Sequence, residues 1–342
     1  MPRRFVLQHL KPESPGEPEF SDPWFLNNPF KWQEALHFAG KMHATLAFLH
    51  RLEKTALWRG LPPDVRESFE SGLSRERMRV ALLDEEFEFS VATLARAEIP
   101  ALPLKGMDLV HRFYPDRMLR PMTDVDLLVP EAQFDQAIRA LKKEGYRIIG
   151  NPYADRRRIE LSRYADGIAV EIHSRCLASS GEAETRALWK RAKPGGLHPQ
   201  DVLLYLVRHS TVQHRLESPI WLNDLHYVIA NSEIDWDLFV SEARARACTS
   251  ASWFAFTLLD SGWGKSAPGA TLARLRRSAG ILRTHLLSKR RDAYRWFSKE
   301  PHSGIGILRA RYLLADNGFQ LLRHAYHRGD LGFRRRIPLA ER

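Results

Sequence analysis

Apolar residues recur along this chain with two periods, and the two periods separate its parts. From 31 to 58, Trp32, Ala35, Leu36, Ala39, Met42 and Leu46 fall near i, i+3, i+4 and i+7, which predicts a helix. Leu61-Pro62-Pro63-Asp64 ends it. A second long helix is expected over 64–98, with Val80, Leu83, Phe87, Val91 and Leu94 as its apolar stripe. Residues 99–104 read as extended, and 107–114 as a short helix. The period then changes to two: 124–129 alternate as a strand and stop at Pro130. A helix over 131–144 should end at Gly145, a C′ glycine. Further strands are expected at 146–149, 159–164 and 167–173.

Composition shifts after Lys193-Pro194-Gly195-Gly196. Helices are predicted over 199–215, 221–230, 236–247 and 250–262. A Gly/Pro/Ser linker over 262–269 precedes two basic helical stretches, 270–300 and 305–328. Residues 1–29 carry six prolines and read as an extended arm. The expected organisation is an N-terminal arm with helices (1–75), an α/β core (76–180) and a helical C-terminal domain with a basic tail (181–342). There is no internal repeat and no low-complexity tract.

A chain of 342 residues with 44% hydrophobic content can bury a substantial core and accommodates two or three units. It has no apolar run near the ~18 residues of a membrane span, and its basic N-terminus lacks a signal-peptide apolar region. Two cysteines are too few for a disulfide scaffold. Together these features predict a soluble, cytoplasmic protein with no membrane partner. The net charge is +11. Residues 281–342 hold 14 Lys/Arg against 5 Asp/Glu, so most of the excess lies there. That segment could attract RNA or an acidic partner, or be a solvated tail. Tyr294, Trp296 and Phe297 interleave with its basic residues at helical spacing and are expected to be core contacts.

The chemistry concentrates in Asp124-Val125-Asp126. Alternation puts both acids on one strand face, where they repel unless positive charge lies between them; Mg²⁺ is the usual answer. A second Asp-x-Asp, Asp235-Trp236-Asp237, sits at a helix start and reads as a cap. A third acid, Glu171, alternates with Val170 and Ile172 in the strand Ile168 to His173. Three acids on two strands meet the requirement of two-metal phosphoryl transfer. Walker, Gly-x-Ser-x-Gly and dinucleotide fingerprints are absent from the sequence.

The run LKGMDLVHRFYPDRMLRPMTDVDLLVP, with Gly145-Tyr146, Val170-Glu171-Ile172-His173, His209 and Trp221-Leu222-Asn223-Asp224-Leu225, resembles the uncharacterised nucleotidyltransferase family of bacteria, a branch of the polymerase-β-like superfamily. The resemblance covers roughly residues 30 to 245. It implies an α+β fold in which a small mixed sheet is flanked by N-terminal helices and a C-terminal helical bundle. It also implies that Asp124, Asp126 and Glu171 hold Mg²⁺ (or Mn²⁺) and that Glu171 helps deprotonate an acceptor hydroxyl. Gly106 takes the place of the glycine turn that admits the triphosphate. Met107 stands where the superfamily usually has Ser or Gly, so a serine-phosphate contact is missing, and Lys105 could supply one instead. Arg120 would bind the triphosphate or buttress the acids by charge pairing.

The implied activity is transfer of an NMP from an NTP to a hydroxyl of a small molecule, peptide, protein or RNA, with release of pyrophosphate. The alternative is a non-catalytic module of the same fold that docks an acidic partner or RNA through the basic C-terminus. Cys176 beside His173 suggests half a zinc site, but no second ligand pair follows. His209 and Asp224 read as a buried pair holding two helices together.

Overall fold

The expected change of period appears as five strands set among helices. The computed structural model describes residues 2–12, 28–149, 158–165, 167–177, 181–214, 216–264, 266–288 and 292–298, together with Leu314 and Asp316. Helices α1 (Pro2–Leu10), α2 (Pro29–Lys41), α3 (Thr45–Glu53) and α4 (Pro63–Arg96) lead into β1 (Leu102–Leu104) and α5 (Lys105–Arg112). Then come β2 (Asp124–Leu128), α6 (Phe134–Lys143), β3 (Arg147–Ile148), β4 (Arg158–Ser162) and β5 (Ala169–His173). The helices α7 (Glu182–Arg191), α8 (Pro199–Val207), α9 (Ile220–Ala230), α10 (Trp236–Ala245) and α11 (Thr249–Asp260) follow. The last described helices are α12 (Gly269–Ala279), α13 (Ile281–Ser288) and α14 (Ala293–Ser298).

The sheet is mixed, in the order β1-β2-β5-β4-β3, so the chain is α+β as expected. β2 and β5 pair in parallel; every other pairing is antiparallel. One face carries Val125, Leu127, Ile159, Leu161, Val170 and Ile172, all buried. They pack with Leu83 and Leu94 of α4 and Ala137 and Leu141 of α6. This burial pins the register, because a slip of one residue would exchange the two faces. Gly145, at φ 91°, ends α6 in the left-handed conformation that its sequence context predicts.

α4 joins the sheet to the helical part. Its Val65, Phe69 and Leu73 belong to a second apolar cluster, built with α1–α3 and the C-terminal helices. Here the structure corrects the first part of the extended arm expected over residues 1–29, whose residues 13–27 lie outside the described ones. Residues 2–10 form a helix whose Phe5, Val6, Leu7 and Leu10 are fully buried. The Asn223 side-chain amide of α9 donates to the Leu10 carbonyl at 3.0 Å and accepts from the Trp263 indole at 2.9 Å. Of the six prolines that suggested an arm, Pro2 is the first residue of this helix and the next, Pro12, follows its end.

The helix expected over 31–58 is also two helices, because His43 adopts φ 51° between them. The stretch 270–300 is three; Gly280 at φ 87° separates α12 from α13. Trp296 packs against Phe254 and donates to the Leu216 carbonyl at 3.0 Å, and Phe297 is buried, so this part of the basic segment is core. The helix expected over 305–328 and most of the basic tail lie outside the described residues. Among those that are described, no helix is long and apolar enough to cross a membrane.

Because α1 is a core element, Phe5→Ala should destabilise the chain by about 3–5 kcal/mol, measured by urea unfolding. The exposed Arg4→Ala should stay within about 0.5 kcal/mol of wild type. Equal midpoints for the two variants would return residues 2–10 to an arm.

Candidate active site

Sheet register brings the acids together. Asp126 in β2 is the direct partner of Glu171 in β5, while Asp124 pairs with Ala169 and Leu128 with His173. Asp124, Asp126, Glu171 and His173 therefore share the face opposite the apolar one. That face is covered too: Asp126 is 3% exposed, and Glu171 and His173 are 6%.

Buried carboxylates in adjacent strands require compensation, and two cations and an imidazole surround them. The Lys105 ammonium bonds Asp126 and lies 3.8 Å from Glu171. The His173 Nε2 lies 2.8 Å from Asp126 Oδ1 and 3.3 Å from Glu171 Oε2. Arg158, on β4 opposite His173, reaches Glu171 Oε2 at 3.0 Å. Burial alone would raise the Asp126 carboxyl; Lys105 and His173 outweigh it and hold it well below the usual range. Burial would lower the Lys105 ammonium, but the charges of Asp126, Glu171 and Asp124 raise it. Asp124 has less help, and burial together with the charge of Asp126 pushes its carboxyl up to about 6.

Lys105 reaches this position through the backbone. Leu104 pairs with Asp126 across β1 and β2, and the next residue turns into α5 at φ 49°, a region that costs a non-glycine residue about 1–2 kcal/mol. The left-handed residue of the turn is thus Lys105. Gly106 meets a different constraint: a Cβ there would fall 2.7 Å from Met122 Cγ. Met107 is buried in the core on the other face of the sheet.

Arg120 is placed otherwise. Its Nε donates to Asp224 Oδ1 at 2.7 Å, and the Tyr114 hydroxyl donates to the same oxygen at 2.6 Å. Asp224, expected to pair with His209, instead ties α9 to the two segments that flank the approach to β2. Arg120 still feels the charge of Asp124, which contributes to holding its proton. The second Asp-x-Asp is the cap its context predicted: the Leu238 amide donates to Asp235 Oδ1 at 2.9 Å.

Two contributors were not singled out from the sequence. Arg158 becomes visible only through the β4–β5 register. Tyr205, on α8, is buried, and its hydroxyl has no hydrogen-bond partner among the described residues. Burial and then the charge of Asp126 push that hydroxyl well above its usual range, so it lies within the field of the acids.

One carboxylate oxygen each from Asp126 and Glu171 and one His173 nitrogen lie within 4.8 Å of one another. Two carboxylates and an imidazole around one small volume fit a divalent cation. Asp124 falls outside that group, one pleat along the same face.

The Asp124 environment has a measurable consequence. An acid whose pKa is raised by folding weakens the native state once it ionises. The penalty is absent below its ordinary value of 3.8, grows toward about 6 and is complete above that. Asp124→Asn should therefore raise the Tm of the metal-free protein by roughly 5 °C at pH 7 and by much less at pH 4. A pH-independent difference in melting would remove this charge conflict.

No functionally curated protein matches the chain significantly. A family model described as an uncharacterised nucleotidyltransferase matches residues 28–264, well over half of the 342, and spans the sheet, all three acids and the helices through α11. On that match, and on the mixed sheet that carries the acids, the chain belongs to the uncharacterised nucleotidyltransferase family.

Proposed function

We propose that this chain transfers a nucleotidyl group from an NTP to an acceptor hydroxyl in a reaction that depends on divalent metal. The observation that carries the reading is the pairing of Asp126 with Glu171 in the β2–β5 register, with Asp124 on the same face, inside the matched region. Asp124, Asp126 and Glu171 would hold Mg²⁺ or Mn²⁺. When bound, such ions lower the pKa of the attacking hydroxyl and neutralise charge on the departing pyrophosphate.

The protein's own groups divide the remaining work. The acceptor oxygen forms its bond to the α-phosphorus as the bond from that phosphorus to the β-phosphate oxygen breaks. Glu171 is the base nearest the acceptor in this scheme and takes the hydroxyl proton. Lys105 now neutralises Asp126 and Glu171; once cations take over that task, its ammonium is available to the triphosphate. Gly106 lets the Met122 side chain pack against the first turn of α5, which sets that turn beside β2, where it would receive the phosphates. Arg120, paired with Asp224, supports the approach to β2 and adds positive charge near Asp124. All three acids are present, which argues against a purely non-catalytic module.

The test is label transfer. With an α-labelled NTP, divalent metal and cell extract, label should enter an acceptor, and Asp124→Ala should reduce the rate at least about 100-fold while the fold persists. Lys105→Ala should raise KM for the NTP more than it lowers kcat. Transfer from a γ-labelled NTP would indicate a kinase and replace this reaction. No transfer with any NTP would favour the binding module.

A further inference from the structure

The imidazole of His173 distinguishes this site from one built only of carboxylates. His173 shares the strand face of Glu171, is buried, and places Nε2 against carboxylate oxygens of both acids. Asp126 and Glu171 each have a cation of their own besides it. Lys105 already bonds Asp126, and Arg158 already bonds Glu171. The Lys105 ammonium, bonded to Asp126 and 3.8 Å from Glu171, shows that the fold holds positive charge at these two carboxylates.

Mg²⁺ prefers oxygen ligands, dehydrates reluctantly and gains little from a nitrogen donor. First-row transition ions bind imidazole more strongly, and Mn²⁺ also accepts an oxygen-rich shell. We propose that Asp126, Glu171 and His173 form a mixed oxygen and nitrogen site that takes a divalent transition ion of the Mn²⁺ class in preference to Mg²⁺, with His173 Nε2 as a direct ligand. This rests on the metal-dependent reading above and gives its ion a chemical class.

Pulsed EPR on the full-length chain loaded with Mn²⁺ tests it directly. A histidine ligand should produce ¹⁴N modulation of the Mn²⁺ echo. The same sample made with ring-¹⁵N histidine should replace it with the ¹⁵N pattern, without recourse to any mutation. In equilibrium titrations, His173→Asp should weaken Mn²⁺ binding at least about 10-fold and change Mg²⁺ binding by less than about 3-fold. Bound Mn²⁺ without nitrogen modulation, or an unchanged ratio of Mn²⁺ to Mg²⁺ affinity in the variant, would overturn the inference and leave the nucleotidyltransferase reading standing. Failure of the wild-type chain to bind Mn²⁺ while it binds Mg²⁺ would overturn the inference alone, and failure to bind either ion would overturn both.

Discussion

The parallel pairing of Asp126 with Glu171 is the constraint around which the site is organised. Two carboxylates on neighbouring strands, both buried, are unstable unless positive charge stands between them. The fold supplies that charge from two directions, Lys105 from the β1–α5 turn and Arg158 from β4, and sets the His173 imidazole at the end of β5 against the same oxygens. Asp124 lacks equivalent compensation and carries the unresolved part of the conflict. A metal ion would relieve it, and this links the electrostatics of the fold to its proposed chemistry.

The helices hold this arrangement in place. α4 and α6 bury the apolar face of the sheet and so hold the acids on the other. On the approach to β2, the Asp224 carboxylate gathers Arg120 and Tyr114, which couples the strand bearing two of the acids to α9. α8 brings the buried Tyr205 hydroxyl into the field of the same acids. The strand pair that carries the acids is thus framed by helices on both of its faces.

Much of this was legible in the sequence because it is periodic. Alternation identified the strands and placed Asp124, Asp126 and Glu171 on equivalent faces, and helix-start context separated Asp235 and Asp237 from them. Other features depend on tertiary contacts that periodicity does not encode. Pro12 and the prolines after it hid α1, whose helical state depends on burying Phe5 and Leu10 among distant helices. Arg120 was assigned to phosphate or to the acids, yet its partner Asp224 lies more than a hundred residues away. The same parity that identified Glu171 put His173 beside it; its contact with Asp126 emerged only from the parallel register.

The most direct test of the central claim is a crystal structure with Mn²⁺ and a non-hydrolysable NTP analogue, read by anomalous scattering. The account predicts an anomalous peak among Asp126, Glu171 and His173, the triphosphate beside the start of α5, and the Lys105 ammonium moved from Asp126 to a phosphate oxygen. An ion and nucleotide bound elsewhere, with Lys105 still on Asp126, would contradict it.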